Sequence, residues 1–197
     1  MSVSLTKGQK VSLTKEAPGL KKIMVGLGWD AAERKGFFGG LFGGPQEIDC
    51  DASAIMLQNG KFVEMRDTVY FGNLTHYTNS VVHTGDNLTG EGDGDDEQIL
   101  IDLSAVPQKY DKIVIVVNIY AAQARKQDFG MIKNAFVRIV DNSTGREMLK
   151  FNLTENYQGM TAMVFGEIYR HNGEWKFNAI GMGTKDGSIS DLAKRYA

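Results

Sequence analysis

The stretch KIVIVVNIY, Lys112–Tyr120, decides the fold class. Ile113, Val114, Ile115, Val116, Val117 and Ile119 are β-branched and almost uninterrupted. A short run of this kind, without helical or alternating periodicity, reads as a strand buried on both faces. Such a strand needs neighbours in its own sheet and a covering layer on each side. Working outward, NAFVRIVD (Asn134–Asp141) alternates cleanly, and EMLKFNL, MTAMVFGEIYRH and EWKFNAIGMG supply further strands up to Gly183. On the other side lie QILIDL (Gln98–Leu103), SVVHT (Ser80–Thr84), TVYF (Thr68–Phe71), EIDCDASAIML (Glu47–Leu57), KKIMVGLG (Lys21–Gly28) and VSLT (Val11–Thr14). Asn59-Gly60 predicts a tight hairpin joining Met56-Leu57 to Phe62-Val63, and Asn172-Gly173 predicts a second one. Helical signal is confined to SAVP (Ser104–Pro107), to one turn within Ala121–Gly130, and to the SISDLAKRYA end. In that last piece Ser188 or Ser190 caps a helix carrying Ile189, Leu192 and Tyr196. The expectation is an all-β, two-sheet β-sandwich with a few short helices, forming a single domain over residues 1–197. Trp29 and Trp175 are expected in the core or at its rim.

The composition narrows the function. The chain has 197 residues and a single cysteine, Cys50, so no internal disulfide forms. The start MSVSLTKGQK has no apolar signal region, and no run approaches the ~18 apolar residues of a membrane span. A soluble cytoplasmic protein is expected. The net charge is −2, and it would be +4 without the six carboxylates between Asp86 and Glu97. The acidity is local, and no basic stripe with interleaved aromatics exists, so nucleic acid is not an expected partner.

That local acidity lies in TGDNLTGEGDGDDE, Thr84–Glu97, between two strands. Asp86, Glu91, Asp93, Asp95, Asp96 and Glu97 occur there without a Lys or Arg, beside the oxygens of Asn87 and Thr89. Gly90, Gly92 and Gly94 let the backbone turn and gather the carboxylates. Two carboxylates at about 4 Å repel by roughly 1 kcal/mol even in bulk water. Oxygen-only donors on a flexible turn suit a hard divalent cation, and Ca²⁺ tolerates irregular geometry better than Mg²⁺ does. The spacing is not that of an EF-hand, since no glycine stands at the sixth loop position counted from Asp93. The competing reading is a solvated acidic loop.

Other stretches bear on the same site. Alternation in Glu47–Leu57 puts Asp49 and Asp51 on one strand face, about 7 Å apart by the rise per residue. That face is either a second wall for a cation or a solvent-facing polar edge. GLGWDA, Gly26–Ala31, formally matches a dinucleotide fingerprint, but a glycine run follows in place of a helix and no βα alternation exists. Asp30 is better read as an oxygen ligand at a strand end. GFFGGLFGG, Gly36–Gly44, is an apolar loop whose Phe37, Phe38, Leu41 and Phe42 either tuck onto the domain or meet a partner or membrane.

Taken together, VGLGWD (Val25–Asp30), IDCDASA (Ile48–Ala54), HTGDNLTGEGDGDDEQI (His83–Ile99), the FG…NAFVRIVD stretch (Phe129–Asp141) and GEIYRHNGEWKFNAIGMG (Gly166–Gly183) resemble the TerD-type tellurium-resistance and general stress protein family over nearly the whole chain. The resemblance implies a β-sandwich holding two Ca²⁺ ions in adjacent sites, a link to tellurite, phage or general stress, and no known catalytic activity. Its acidic positions fall on Asp30, Asp49, Asp51, Asp86, Asn87, Glu91, Asp93, Asp95 and Asp96, with the carbonyls of Gly90 and Gly92 contributing. The chain departs from the family in the FFGGLFGG loop, in Cys50 where Leu is usual, and in YAAQARKQ, which lacks a His-Asp pair common there. The function expected is a calcium-stabilised binding or scaffold module for other proteins of a stress-resistance assembly, in one form membrane-apposed, and not an enzyme. The alternative is a metal-dependent hydrolase using the carboxylates, with His83 as its best-placed base. Direct capture of tellurite is disfavoured, because an oxyanion is repelled by a carboxylate cluster.

Overall fold

The computed structural model describes residues 2–31, 48–85 and 94–197. The expectations for Phe37, Phe38, Leu41 and Phe42, and for Asp86, Asn87, Gly90, Glu91, Gly92 and Asp93, fall outside the described residues. The rest forms two six-stranded sheets packed face to face. In the first, the order is β1 (Val3–Leu5), β10 (Arg146–Asn152), β9 (Ile132–Asp141), β3 (Lys22–Ala31), β7 (Glu97–Asp102) and β6 (Val81–His83). In the second it is β2 (Lys10–Ser12), β12 (Glu174–Thr184), β11 (Ala162–His171), β8 (Tyr110–Ile119), β4 (Cys50–Gln58) and β5 (Thr68–Val69). All pairings are antiparallel except β1 with β10.

The deciding strand, β8, lies inside the second sheet between β11 and β4. Ile113, Ile115, Val117 and Ile119 enter the core between the sheets. Val114 and Val116 face the other way, with Ile55, Leu57, Ala162 and Val164, under a C-terminal helix. That helix, Ile189–Lys194, contributes Leu192 and Ala193 to the contact, with Ile189 and Tyr196 beside them. Its N-cap is Ser188, whose hydroxyl accepts the Asp191 N–H at 3.2 Å. Burial on both faces therefore explains why this strand is continuously apolar. Trp29 and Trp175 are both in the inter-sheet core.

Three local expectations are corrected. The strand expected at Val11–Thr14 stops at Ser12, because the Ser12 hydroxyl accepts the Lys15 N–H and starts a short helix, α1 (Leu13–Glu16). Asn59-Gly60 does turn with both φ positive, but only one bridge, Gln58 to Lys61, follows it. Phe62 leaves the sheet to donate its N–H to the Tyr196 carbonyl at 2.7 Å, and the β4 edge is taken by β5 instead. SAVP is a turn without helix, closed by the Ala105 and Val106 N–H groups on the Asp102 carbonyl. Most of the other expected features within the described residues form, with the strand expected at Thr68–Phe71 shortened to Thr68–Val69. Ala122–Arg125 makes the single helical turn, and Asn172-Gly173 joins β11 to β12 with both φ positive.

Candidate metal centre

The described residues among those singled out by sequence lie toward one end of the sandwich. On β3, Val25, Leu27 and Trp29 point into the core, so Gly26, Gly28 and Asp30 lie on the outer face of the first sheet. The register between β3 and β9 shifts after Gly28, where Asn134 adopts a left-handed conformation (φ 54°). Asparagine tolerates that conformation better than most residues. The Asn134 side chain then donates to Asp30 Oδ2 at 2.7 Å. The limb of the acidic stretch after Gly94 runs across this face. The Asp96 N–H donates to the Leu27 carbonyl at 2.8 Å, and Asp96 Oδ2 accepts the Trp29 N–H at 2.7 Å. Asp95 lies over Gly26, where Arg138 donates Nε and Nη2 to its two oxygens at 2.7 and 2.9 Å. A groove of about 530 Å³ opens beside Trp29, Asp30, Gly94, Asp96 and Asn134.

On the second sheet, Asp49 and Asp51 sit at the start of β4. The alternation holds, with Cys50, Ala52 and Ala54 in the core and Asp51 and Ser53 on the opposite face. That face is not a solvated polar edge at this point, since Asp51 is 4% exposed and accepts from Asn118 Nδ2 at 3.3 Å. Asp49 meets Arg125 at 3.3 Å. Glu97 joins the two sheets. It is the inward-facing first residue of β7, and its carboxylate accepts the Ala52 N–H from β4. His83 Nε2 stands 3.5 Å from the same carboxylate, and His83 Nδ1 accepts the Gly85 N–H at 3.1 Å. The imidazole is therefore the neutral tautomer with its proton toward Glu97.

Electrostatics confirm that these groups sense one another. Burial pushes the Cys50 thiol well above its ordinary value, reinforced by the charges of Asp51, Glu97, Asp49 and Asp96. Burial also raises the Asp96 carboxyl, opposed by the Trp29 N–H and reinforced by Asp30 and Asp95. The available donors are thus hard carboxylate oxygens, while the thiol is kept protonated and the imidazole is turned inward. That set fits calcium or magnesium and disfavours zinc or copper. Among the described residues no three carboxylate, imidazole or thiol groups converge into a complete site on their own. Asp30 and Asp96 line one groove, Asp49 and Asp51 lie at the start of β4, and Asp95 is taken up by Arg138; the remaining expected donors fall outside the described residues.

The whole of this chain matches one family model, the TerD domain, over residues 1–196. The chain belongs to the TerD family. It is 57% identical over 198 residues to "Stress response protein SCP2" of Bacillus subtilis (strain 168), with 100% of each chain covered. It is 51% identical to "Tellurium resistance protein TerD" of Serratia marcescens, covering 98% of this chain and 97% of that one. A crystal structure of a telluride resistance protein (TerD) homologue from Streptomyces coelicolor A3(2) superposes with a TM-score of 0.67 at 19% identity, covering 91% of this chain and 99% of that one. That likeness supports the TerD sandwich architecture.

Sequence reasoning gave Arg138 and Asn118 no part in this end of the molecule, counted Glu97 only among the carboxylates of the acidic stretch, and gave His83 only the role of base in the alternative reading. For Glu97 the signal was present: stepping back by two from Ile101 and Ile99 lands on it, which places it inward. A second polar cluster was also missed. Asp67, fully buried, accepts from the Tyr110 hydroxyl and from Gln58 Nε2 at 3.1 Å, and faces His76 Nε2 at 3.6 Å. It braces the segment that crosses from β5 to β6. Nothing in local spacing announces it.

Proposed function

We propose that this TerD-family chain is a non-catalytic, calcium-binding stress-response module of the cytoplasm, whose ions stabilise one end of the sandwich as a surface for partner proteins. What carries the reading is the pairing of Asp30 with Asp96 on the outer face of the first sheet, with Asp49 and Asp51 at the start of β4 as donors toward a second seat. The stretch holding Asp86, Asn87, Gly90, Glu91, Gly92 and Asp93 begins and ends at that same rim. Two groups of carboxylates offer seats for two ions, completed by donors from that stretch. Bound calcium would cancel carboxylate repulsion across the gap between the sheets. Relatives named for tellurium resistance and stress response support the biological setting. A hydrolase draws no support from the site: His83, the best base, is 2% exposed and turned to Glu97.

Calorimetry of chelator-treated protein with Ca²⁺ and Mg²⁺ tests the reading. The expected result is calcium-selective binding, with a melting temperature that rises by an amount equivalent to about 2.7 kcal/mol at a hundredfold excess over Kd. Absence of binding at millimolar calcium would refute it.

A further inference from the structure

Resting on the calcium reading above, we infer that Asp95 is the tether of the acidic stretch, not a ligand, and that Arg138 is a positioning residue for the ions. The geometry is that of a lock. Gly26 pairs in register with Gln98 on one side and Arg138 on the other, so their side chains flank it on the outer face of the first sheet. Gly26 has no side chain, and the Asp95 carboxylate fills that space. Arg138 donates to both carboxylate oxygens, and Gln98 Nε2 donates to Oδ2 at 3.1 Å. The Asp95 side chain is fully buried by these neighbours. Arg138 is itself steadied by Glu147 on β10 at 3.3 Å, and Glu147 Oε1 accepts from Ser2 at 2.6 Å.

A carboxylate gripped by a forked guanidinium has its charge cancelled already and its lone pairs directed at nitrogen. Oδ2 already accepts two donors, and an ion at the remaining lone pair of Oδ1 would stand against the Arg138 guanidinium. Its neighbour differs. Among the described residues the Asp96 side chain accepts the neutral Trp29 N–H, while its backbone N–H is pinned to Leu27. The tether therefore holds Asp96 beside Asp30 before any ion arrives, and that pre-organisation is what a metal site gains from residues behind its ligands.

The experiment compares wild type with Arg138→Gln, Arg138→Lys, Asp95→Asn and the double variant Arg138→Gln/Asp95→Asn. Amide exchange at Asp96 in chelator reads the tether alone, and calcium calorimetry reads its consequence. The expected result is faster Asp96 exchange in Arg138→Gln and in Asp95→Asn, by tenfold or more. Calcium affinity should fall roughly 10–100-fold, the range for residues behind a metal's ligands, with the number of ions per chain unchanged. The double variant should fall no further than either single one. Arg138→Lys, which keeps charge but loses the fork, should recover only part of the affinity. If Asp95 were a ligand held back by Arg138, Arg138→Gln would raise calcium affinity and Asp95→Asn would remove an ion; either result overturns the inference. Lower melting temperatures with calcium affinity unchanged would also overturn it, leaving a merely structural pair. A wild type that takes up no calcium refutes the proposed function and the positioning role with it, while unchanged Asp96 exchange refutes the tether itself.

Discussion

Replacing Gly26 by alanine tests how the acidic stretch is seated. A Cβ at this position would stand inside van der Waals contact of the Asp95 carboxyl carbon and both of its oxygens. The backbone itself would accept alanine, because Gly26 lies in a regular strand between Gln98 and Arg138. In a strand, exchanging glycine for alanine gains roughly 0.5–1 kcal/mol of backbone entropy. The opposing term is the displaced Asp95. Its backbone cannot follow, since the next residue is pinned to the Leu27 carbonyl at 2.8 Å, so the carboxylate must leave Arg138. Two charged hydrogen bonds, at 2.7 and 2.9 Å, are then lost. Each is worth about 1.5–3 kcal/mol. The Arg138 side chain is 29% exposed, which moves the sum to the lower end, about 3 kcal/mol.

The net expectation is a loss of about 2 kcal/mol, or roughly 4–8 °C in melting temperature for a domain of this size. The assay is thermal unfolding in chelator, so that no ion contributes. Gly187→Ala is the control: nothing lies within 4 Å of its Cβ position, and its φ is not positive. It should melt within experimental error of wild type or slightly above. Gly26→Ala melting at or above wild type would show that Asp95 is not seated on Gly26, and the lock would have to be abandoned. Gly28→Ala, whose Cβ would meet the Phe136 ring at 2.5 Å and the Gly94 carbonyl at 2.8 Å, should destabilise as well.

Asp96→Asn should raise the melting temperature in chelator, because it removes a carboxylate whose charged form burial disfavours, and should weaken calcium binding at least tenfold; a variant that melts lower without calcium and binds it normally would contradict this. His76 should make stability fall on acidification. Burial lowers its pKa below the unfolded value near 6.5, opposed by Asp67 and reinforced by Lys109 and Arg66, so the unfolded chain binds the extra proton first. This stability is complete above about pH 6.5 and is lost as the pH falls toward the folded pKa. Urea unfolding at pH 7.5 and 5.5 should show a smaller loss in His76→Gln than in wild type, and equal losses would exclude His76 as the cause. Cys50, buried and held protonated, should resist alkylation at pH 8 in the native state and react once the chain is unfolded; rapid native labelling would place the thiol elsewhere.

Much of the sandwich was legible because it rests on local periodicity. The run Ile113–Val117, the alternation from Asn134 to Asp141 and the Asn172-Gly173 turn each specify their own conformation. Errors arose where a polar group nearby or far along the chain competed. Ser12 reads as a strand residue until its hydroxyl is seen taking the Lys15 N–H. Asn59-Gly60 reads as a hairpin until the distant Tyr196 carbonyl draws Phe62 away. At the candidate site, residue types and rough location were legible, and partners were not. Arg138 and Asp95 are 43 positions apart. Only the register of β3 against both β7 and β9 brings them over the same glycine. The same register explains the GLG spacing that mimics a dinucleotide fingerprint: Gly26 and Gly28 make room for a chain segment, not for a pyrophosphate.

The distribution of partners explains where a divalent ion is needed. Arginines meet the carboxylates at the two flanks, Arg125 at Asp49 and Arg138 at Asp95. Asp30 and Asp96 between them are met by the Asn134 amide and the Trp29 N–H. These neutral donors orient a carboxylate without cancelling its charge. The charges therefore remain, and Asp30 and Asp95 add to the burial that raises the Asp96 carboxyl. Adding a lysine here would neutralise only one of them and would cost the entropy of ordering a long side chain. A calcium ion brings two positive charges at the cost of no side-chain entropy, and takes oxygens from several directions at once. Replacing Asp30 and Asp96 together by asparagine should accordingly give a protein that is more stable without calcium than wild type and that takes up one ion fewer per chain.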